Sequence, residues 1–111
     1  MKNAEAVLSV KFKSRLGSQL LLDALREDLN TFKKVPGLVQ KYYLTEEDTQ
    51  AISGIYLFQT KSSRAAFLNS QLAKEIPFLY GVIPETFRVE QYDMTIVLNE
   101  SEVTSDILLD C

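Results

Sequence analysis

Two periodicities alternate along this chain. Between residues 53 and 59 the side chains alternate at a period of two, with both faces apolar. Ile55 and Leu57 point one way, Tyr56 and Phe58 the other. A strand that wets neither face is central in its sheet and covered on both sides. Residues 5–13 form another strand, with Leu8, Val10 and Phe12 opposite Val7, Ser9 and Lys11. From Gln19 the period becomes helical, and Leu21, Leu25, Leu29 and Phe32 make one stripe. Ser18 suits its N-cap, Lys33 and Lys34 suit its negative end, and Val35-Pro36-Gly37 stops it.

Residues 38–45 have strand composition and residues 46–50 make a polar turn, so 38–45 and 51–60 pair as an antiparallel hairpin. Ser62 or Ser63 caps a second helix. Its stripe is Ala65, Leu68, Leu72 and Ile76, with Phe67 alongside and Pro77 at its end. Residues 78–84 read as a covered connection broken by Gly81 and Pro84. A fourth strand over 86–92 sets Phe87 and Val89 against Arg88, Glu90 and Tyr92. Residues 95–98 suit a fifth short strand or an extended arm, and 99–111 form an acidic tail with an apolar cluster at Ile107, Leu108 and Leu109.

The order β-α-β-β-α-β predicts an α+β, ferredoxin-like domain: two helices on one face of a four-stranded antiparallel sheet. At 111 residues the chain is expected to be a single domain over 1–111, with a core over about 5–93 and an arm and tail over 94–111. One helical layer covers one sheet face; something else must cover the other.

Composition narrows the chemistry. There is no histidine, which excludes Ser-His-Asp and Cys-His catalysis and histidine-based zinc or haem sites. The net charge of −3 is concentrated late: after Met94 come four acids and no base, against 11 acids and 12 bases before it. No basic stripe suits a phosphate backbone, so nucleic acid is not an expected partner. No apolar run approaches the roughly 20 residues of a membrane span, and no apolar signal core follows Met1, so no membrane association and a cytoplasmic location are expected. Cys111 is the single cysteine, which excludes an intrachain disulfide.

A set of motifs then carries a resemblance. Val35-Pro36-Gly37-Leu38, Lys41-Tyr42-Tyr43, the run from Ala51 to Phe58, Ala66-Phe67-Leu68 and Gly81-Val82 occur in one order over residues 6–93. Together they resemble the YdhR-type monooxygenase family, a branch of the dimeric α+β barrel superfamily. The resemblance implies a homodimer in which two sheets pack face to face, and so supplies the missing cover. It implies oxygen chemistry without metal or flavin, hence no cofactor. The haem-degrading members of that superfamily need an Asn-Trp-His set, and this chain has neither Trp nor His. The family brings no agreed catalytic set to transfer.

The residues offer their own candidates. Tyr56 on the central strand, with Tyr42 and Tyr43 on its neighbour and Tyr92 near the end of strand four, can hold or polarise a phenolic substrate. The same tyrosines equally suit the cover of a sheet or an interface. Arg88 can bind a carboxylate or enolate and Glu90 can act as general base, against the plainer reading of a solvated pair. Arg64 reads as a surface residue, Tyr80 as structural, and Lys11 and Lys41 as rim residues without a role. The expected function is a cofactor-independent monooxygenase-like enzyme for a small aromatic or polyketide-like compound. The alternative is a non-catalytic homodimer that binds a small ligand or serves in stress.

Overall fold

The computed structural model describes residues 4–96 and 98. Its strands are β1 (Ala6–Phe12), β2 (Leu38–Thr45), β3 (Ile52–Phe58) and β4 (Arg88–Asp93), and its helices are α1 (Ser18–Glu27), α2 (Leu29–Phe32), α3 (Lys61–Leu68) and α4 (Gln71–Leu79). The sheet runs β2-β3-β1-β4 and every pairing is antiparallel, the ferredoxin-like arrangement that the order of elements predicts. Strict alternation in β1 and β3 buries Leu8, Val10, Phe12, Tyr56 and Phe58 under the helices, where they join Leu21, Leu25, Phe32, Phe67 and Ile76. The opposite face carries Val7, Ser9, Lys11, Ile55 and Leu57, with no layer over it among the described residues.

The helices depart from the sequence expectation at their starts and in their interiors. Gly17 rather than Ser18 is the first N-cap, and Thr60 rather than Ser62 or Ser63 caps α3, accepting from the Ser63 N–H. The first helix is broken at Asp28, so the inward stripe runs Leu21, Leu25, Asp28, Phe32 and leaves Leu29 45% exposed. The second is broken at Asn69–Ser70, where Ser70 caps a fresh helix by accepting from the Ala73 N–H. Pro77 lies inside α4 rather than ending it, because that new start carries the helix on until Ile76 and Tyr80 face the core. The last strand begins two residues later than expected, a 3-10 turn occupying Pro84–Thr86. Thr95 and Ile96 are not in a strand; Val97 and the tail over 99–111, with its apolar cluster, lie outside the described residues.

Two features pin the layers. Gly37 adopts φ +78° at the corner before β2, and a methyl there would sit 2.2 Å from the Ser63 Oγ, so only glycine lets this corner dock on α3. Arg64 is not a surface residue. It is 9% exposed and its Nη1 donates to the Val7 and Tyr92 carbonyls at 3.1 and 2.8 Å, tying α3 to β1 and β4. Among the described residues no helix is long and apolar enough to cross a membrane.

Replacing Arg64 by Met strands two carbonyl acceptors beneath a helix, and is expected to cost about 2 kcal/mol in urea unfolding. A surface position would change by less than about 0.5 kcal/mol, and such a result would contradict the clamp.

Candidate active site

The helix-facing side of the β2–β3 hairpin gathers the titratable groups. Lys41 and Tyr43 alternate on β2 and are opposite Tyr56 and Gly54 on β3. Gly54 makes the space: a methyl there would stand 3.3 Å from the Tyr56 ring and 3.5 Å from the Tyr43 ring. Tyr80 comes in from the C-terminal end of α4, 1% exposed and stacked on Phe12 at 6.1 Å. Asp28 enters from the break between α1 and α2, half-buried.

These side chains form one connected chain. The Lys41 Nζ lies 3.0 Å from the centre of the Phe32 ring, 4.2 Å from that of Tyr43 and 4.4 Å from that of Tyr56. It donates a hydrogen bond to the Tyr43 hydroxyl. The Tyr43 and Tyr80 hydroxyls are 3.1 Å apart, and the Tyr80 hydroxyl donates to Asp28 Oδ2 at 2.7 Å. The Tyr43 and Tyr80 rings meet edge to face at 87°, a favourable quadrupolar arrangement that holds the two hydroxyls together.

Burial decides the charges. Removal from water lowers Lys41 from 10.5 to about 6, against a smaller opposing pull from the Asp28 charge. The three ring faces also attract an ammonium, so a proton arriving on the amine is cushioned after arrival. Burial pushes Tyr43 up to about 12 and raises Tyr56 and Tyr80 further, so all three stay protonated at neutral pH. In a chain without histidine, burial thus moves a lysine into the range where a general base works best.

An apolar groove of about 290 Å³ adjoins the amine, lined by Leu29, Phe32, Lys33, Leu38, Gln40 and Lys41 among others. A larger cleft of about 550 Å³ runs between the Val35–Pro36 corner and the α3–α4 layer. It presents Thr31, Ser62, Ser63 and Lys34 but none of the shifted groups. Among the described residues no cluster of three or more acidic, cysteine or histidine side chains could hold a metal ion.

The six residues singled out from the sequence fall on two faces. Tyr43 and Tyr56 enter the cluster under the helices. Tyr42, Arg88, Glu90 and Tyr92 lie on the open face, on the side of Ile55 and Val7. There Glu90 raises the Tyr92 hydroxyl. Sequence reasoning passed over Lys41, Tyr80 and Asp28. A usable signal existed for Asp28, a carboxylate in the inward stripe of an otherwise apolar helix face. Lys41 shows one too, since it alternates with Tyr43 on the side of β2 that faces the core.

The lowered Lys41 value has a signed consequence. Between about pH 6 and 10.5 the unfolded chain holds a proton on this lysine that the folded chain lacks. Stability therefore rises with pH across that window, by up to about 1.4 kcal/mol per unit. Above pH 10 the raised tyrosines act the other way, because they ionise only on unfolding. Lys41→Met should flatten the rise between pH 7 and 9 in guanidinium unfolding, and be about 1–3 kcal/mol more stable at pH 7. Equal slopes in the two proteins would show that the amine keeps its charge.

Comparisons with known proteins agree with this architecture. A family model described as "Putative mono-oxygenase ydhR" matches residues 7–98. Sequence comparison with curated proteins finds no match. Among solved structures, a Nitrosomonas europaea protein of unknown function is similar at TM-score 0.69 and 16% identity, over 87% of this chain and 95% of that one. SnoaB, a cofactor-independent oxygenase from Streptomyces nogalater, is similar at TM-score 0.63 and 13% identity, over 89% and 99%. The Streptomyces coelicolor monooxygenase from ActVA-Orf6, solved with nanaomycin D, is similar at TM-score 0.63 and 14% identity, over 88% and 94%. At such identities the structural likeness speaks for the fold, and the family follows from the match along most of the sequence: the chain belongs to the ydhR mono-oxygenase family.

Proposed function

We propose that this protein is a cofactor-independent oxygenase for a small, acidic aromatic compound, with Lys41 as its general base. The observation that carries the reading is the uncharged amine of Lys41 beside an apolar groove, in a chain that has no histidine to do the same work. A compound with a phenolic or doubly activated C–H proton would lie against Phe32 and Leu38 and lose that proton to Nζ. The resulting carbanion or phenolate is electron-rich enough to reduce oxygen directly. For an anthrone-type methylene the balance closes: one oxygen atom replaces the two hydrogens as a carbonyl, the other leaves as water, and the substrate supplies all the electrons. Tyr43, held protonated, accepts a hydrogen bond from Nζ and so positions the amine.

A second reading, binding without turnover, is favoured by the larger cleft, whose hydroxyls and apolar walls suit a ligand but offer no base. Oxygen uptake separates the two. With anthrone or a naphthohydroquinone as probe, uptake is expected in the wild type and should fall by about 10²-fold or more in Lys41→Met. Stoichiometric binding without oxygen consumption would favour the second reading.

We also propose that the protein is a homodimer through the open sheet face. Tyr42, Leu44 and Tyr92 are each about half exposed there, next to the half-buried Val7, Ile55 and Leu57. Such a contiguous apolar sheet face suits a self-complementary, two-fold contact. Arg88 and Glu90 would then lie at the interface. Light scattering should give twice the 12.6 kDa mass of the chain, and Leu44→Glu should halve it. The mass of a single chain at micromolar concentration would contradict this.

A further inference from the structure

We infer that Tyr43, Tyr80 and Asp28 form a directed proton wire that carries the proton gained by Lys41 across the core to the outside of the helical layer. The inference deepens the proposed role of Lys41 and rests on it.

The direction follows from donor and acceptor count. The Tyr80 hydroxyl spends its one hydrogen on Asp28 Oδ2, so its oxygen can only accept from Tyr43. The Tyr43 hydroxyl therefore spends its own hydrogen on Tyr80, and its oxygen is left to accept from Lys41. Each link points from the amine to the carboxylate. Transfer then balances: the ammonium gives a proton to the Tyr43 oxygen, Tyr43 passes its own to the Tyr80 oxygen, and Tyr80 passes its own to Asp28. The end state is a free amine and a carboxylic acid, with both phenols restored and no electron moved. Asp28 sits half-buried at the helix break, at the solvent end of the chain of hydroxyls.

Three further observations fit a wire better than a purely structural network. Phenols raised far above neutrality stay protonated, so each keeps the hydrogen that a relay passes along. On its core side the amine meets the Phe32, Tyr43 and Tyr56 rings, and its hydrogen bond there goes to the head of the hydroxyl chain. The break between α1 and α2 turns a carboxylate, rather than another leucine, into the core stripe. The groups that face Nζ are then Tyr43 from β2, Tyr56 from β3, Asp28 from the helix break, Tyr80 from beyond α4 and Lys33 on the groove rim.

The test uses the full chain with ¹⁵N,¹³C-labelled lysine and needs no substrate. The Lys41 Nζ is followed through its Hε protons, identified by its loss in Lys41→Met, and its proton-exchange rate is read by relaxation dispersion near its midpoint. Tyr80→Phe is expected to leave that midpoint near 6 and slow exchange about tenfold or more. Asp28→Asn preserves shape should the first variant fold poorly. It is expected to slow exchange similarly and to lower the midpoint, because the Asp28 charge that raises it is gone. Imidazole, as a mobile proton carrier, should restore part of the lost rate, which a merely structural defect would not allow. Exchange as fast as wild type in both variants would overturn the wire while leaving the base intact. A Lys41 midpoint near the ordinary 10.5 would overturn the base and the wire together.

Discussion

The desolvation of one lysine amine is the constraint on which the rest of this structure turns. A lysine placed on the core side of a strand can keep its charge only with strong partners, and here its direct polar partner is a neutral phenol. Lowering its value from 10.5 to about 6 means that the folded surroundings disfavour the ammonium, relative to water, on the order of 6 kcal/mol. No fold selected for stability alone would accept that term, since a methionine would fill the same space without it. The aromatic walls, the two phenols and the Asp28 carboxylate each reduce the cost without removing it. An unfavourable group that the surroundings over-determine is what a functional position looks like.

The two faces of the sheet have separated their tasks. Under the helices lie the buried lysine and phenols; on the open side lie exposed charged side chains and half-exposed aromatics. The Lys11–Glu46 pair at 2.9 Å on that open side is solvated and worth little by itself. Arg64 connects the halves. Its guanidinium donates through Nη1 to two carbonyls, clamps α3 to β1 and β4 and so fixes the helical roof over the tyrosines. Its burial is a different solution from that of Lys41: the guanidinium keeps its charge and finds acceptors, while the amine gives its charge up.

The strands were legible because a period of two survives any tertiary context, and β1 and β3 follow it without exception. Gly37 was legible because a corner at positive φ favours glycine. The helix interruptions were not, since a stripe read at 3.6 residues continues smoothly through Asp28 and through Asn69. Tertiary packing breaks both helices, and the break at Asp28 is what rotates Leu29 outward. The same limit hid the site. Lys41, Asp28 and Tyr80 belong to three elements far apart in sequence, and nothing local marks them as neighbours. Tyr80 looked like part of an apolar connection and turned out to be the middle of the hydrogen-bond chain.

That separation also explains why the site sits on the central hairpin. Strand β3 is flanked on both edges, so its backbone is the least able to shift, and it supplies only walls: Tyr56, Phe58 and the open space above Gly54. Strand β2 is an edge strand, and it supplies the groups that must meet a ligand, Lys41 and Tyr43, with a groove running alongside. Rigid walls and a reachable edge are the two requirements of a pocket that orients a substrate and yet admits it. The doubly apolar strand at the middle of the sequence is thus the fixed surface against which the reactive side chains are held, and Tyr56 contributes both a ring over the amine and a hydroxyl that is hydrogen-bonded to Tyr43.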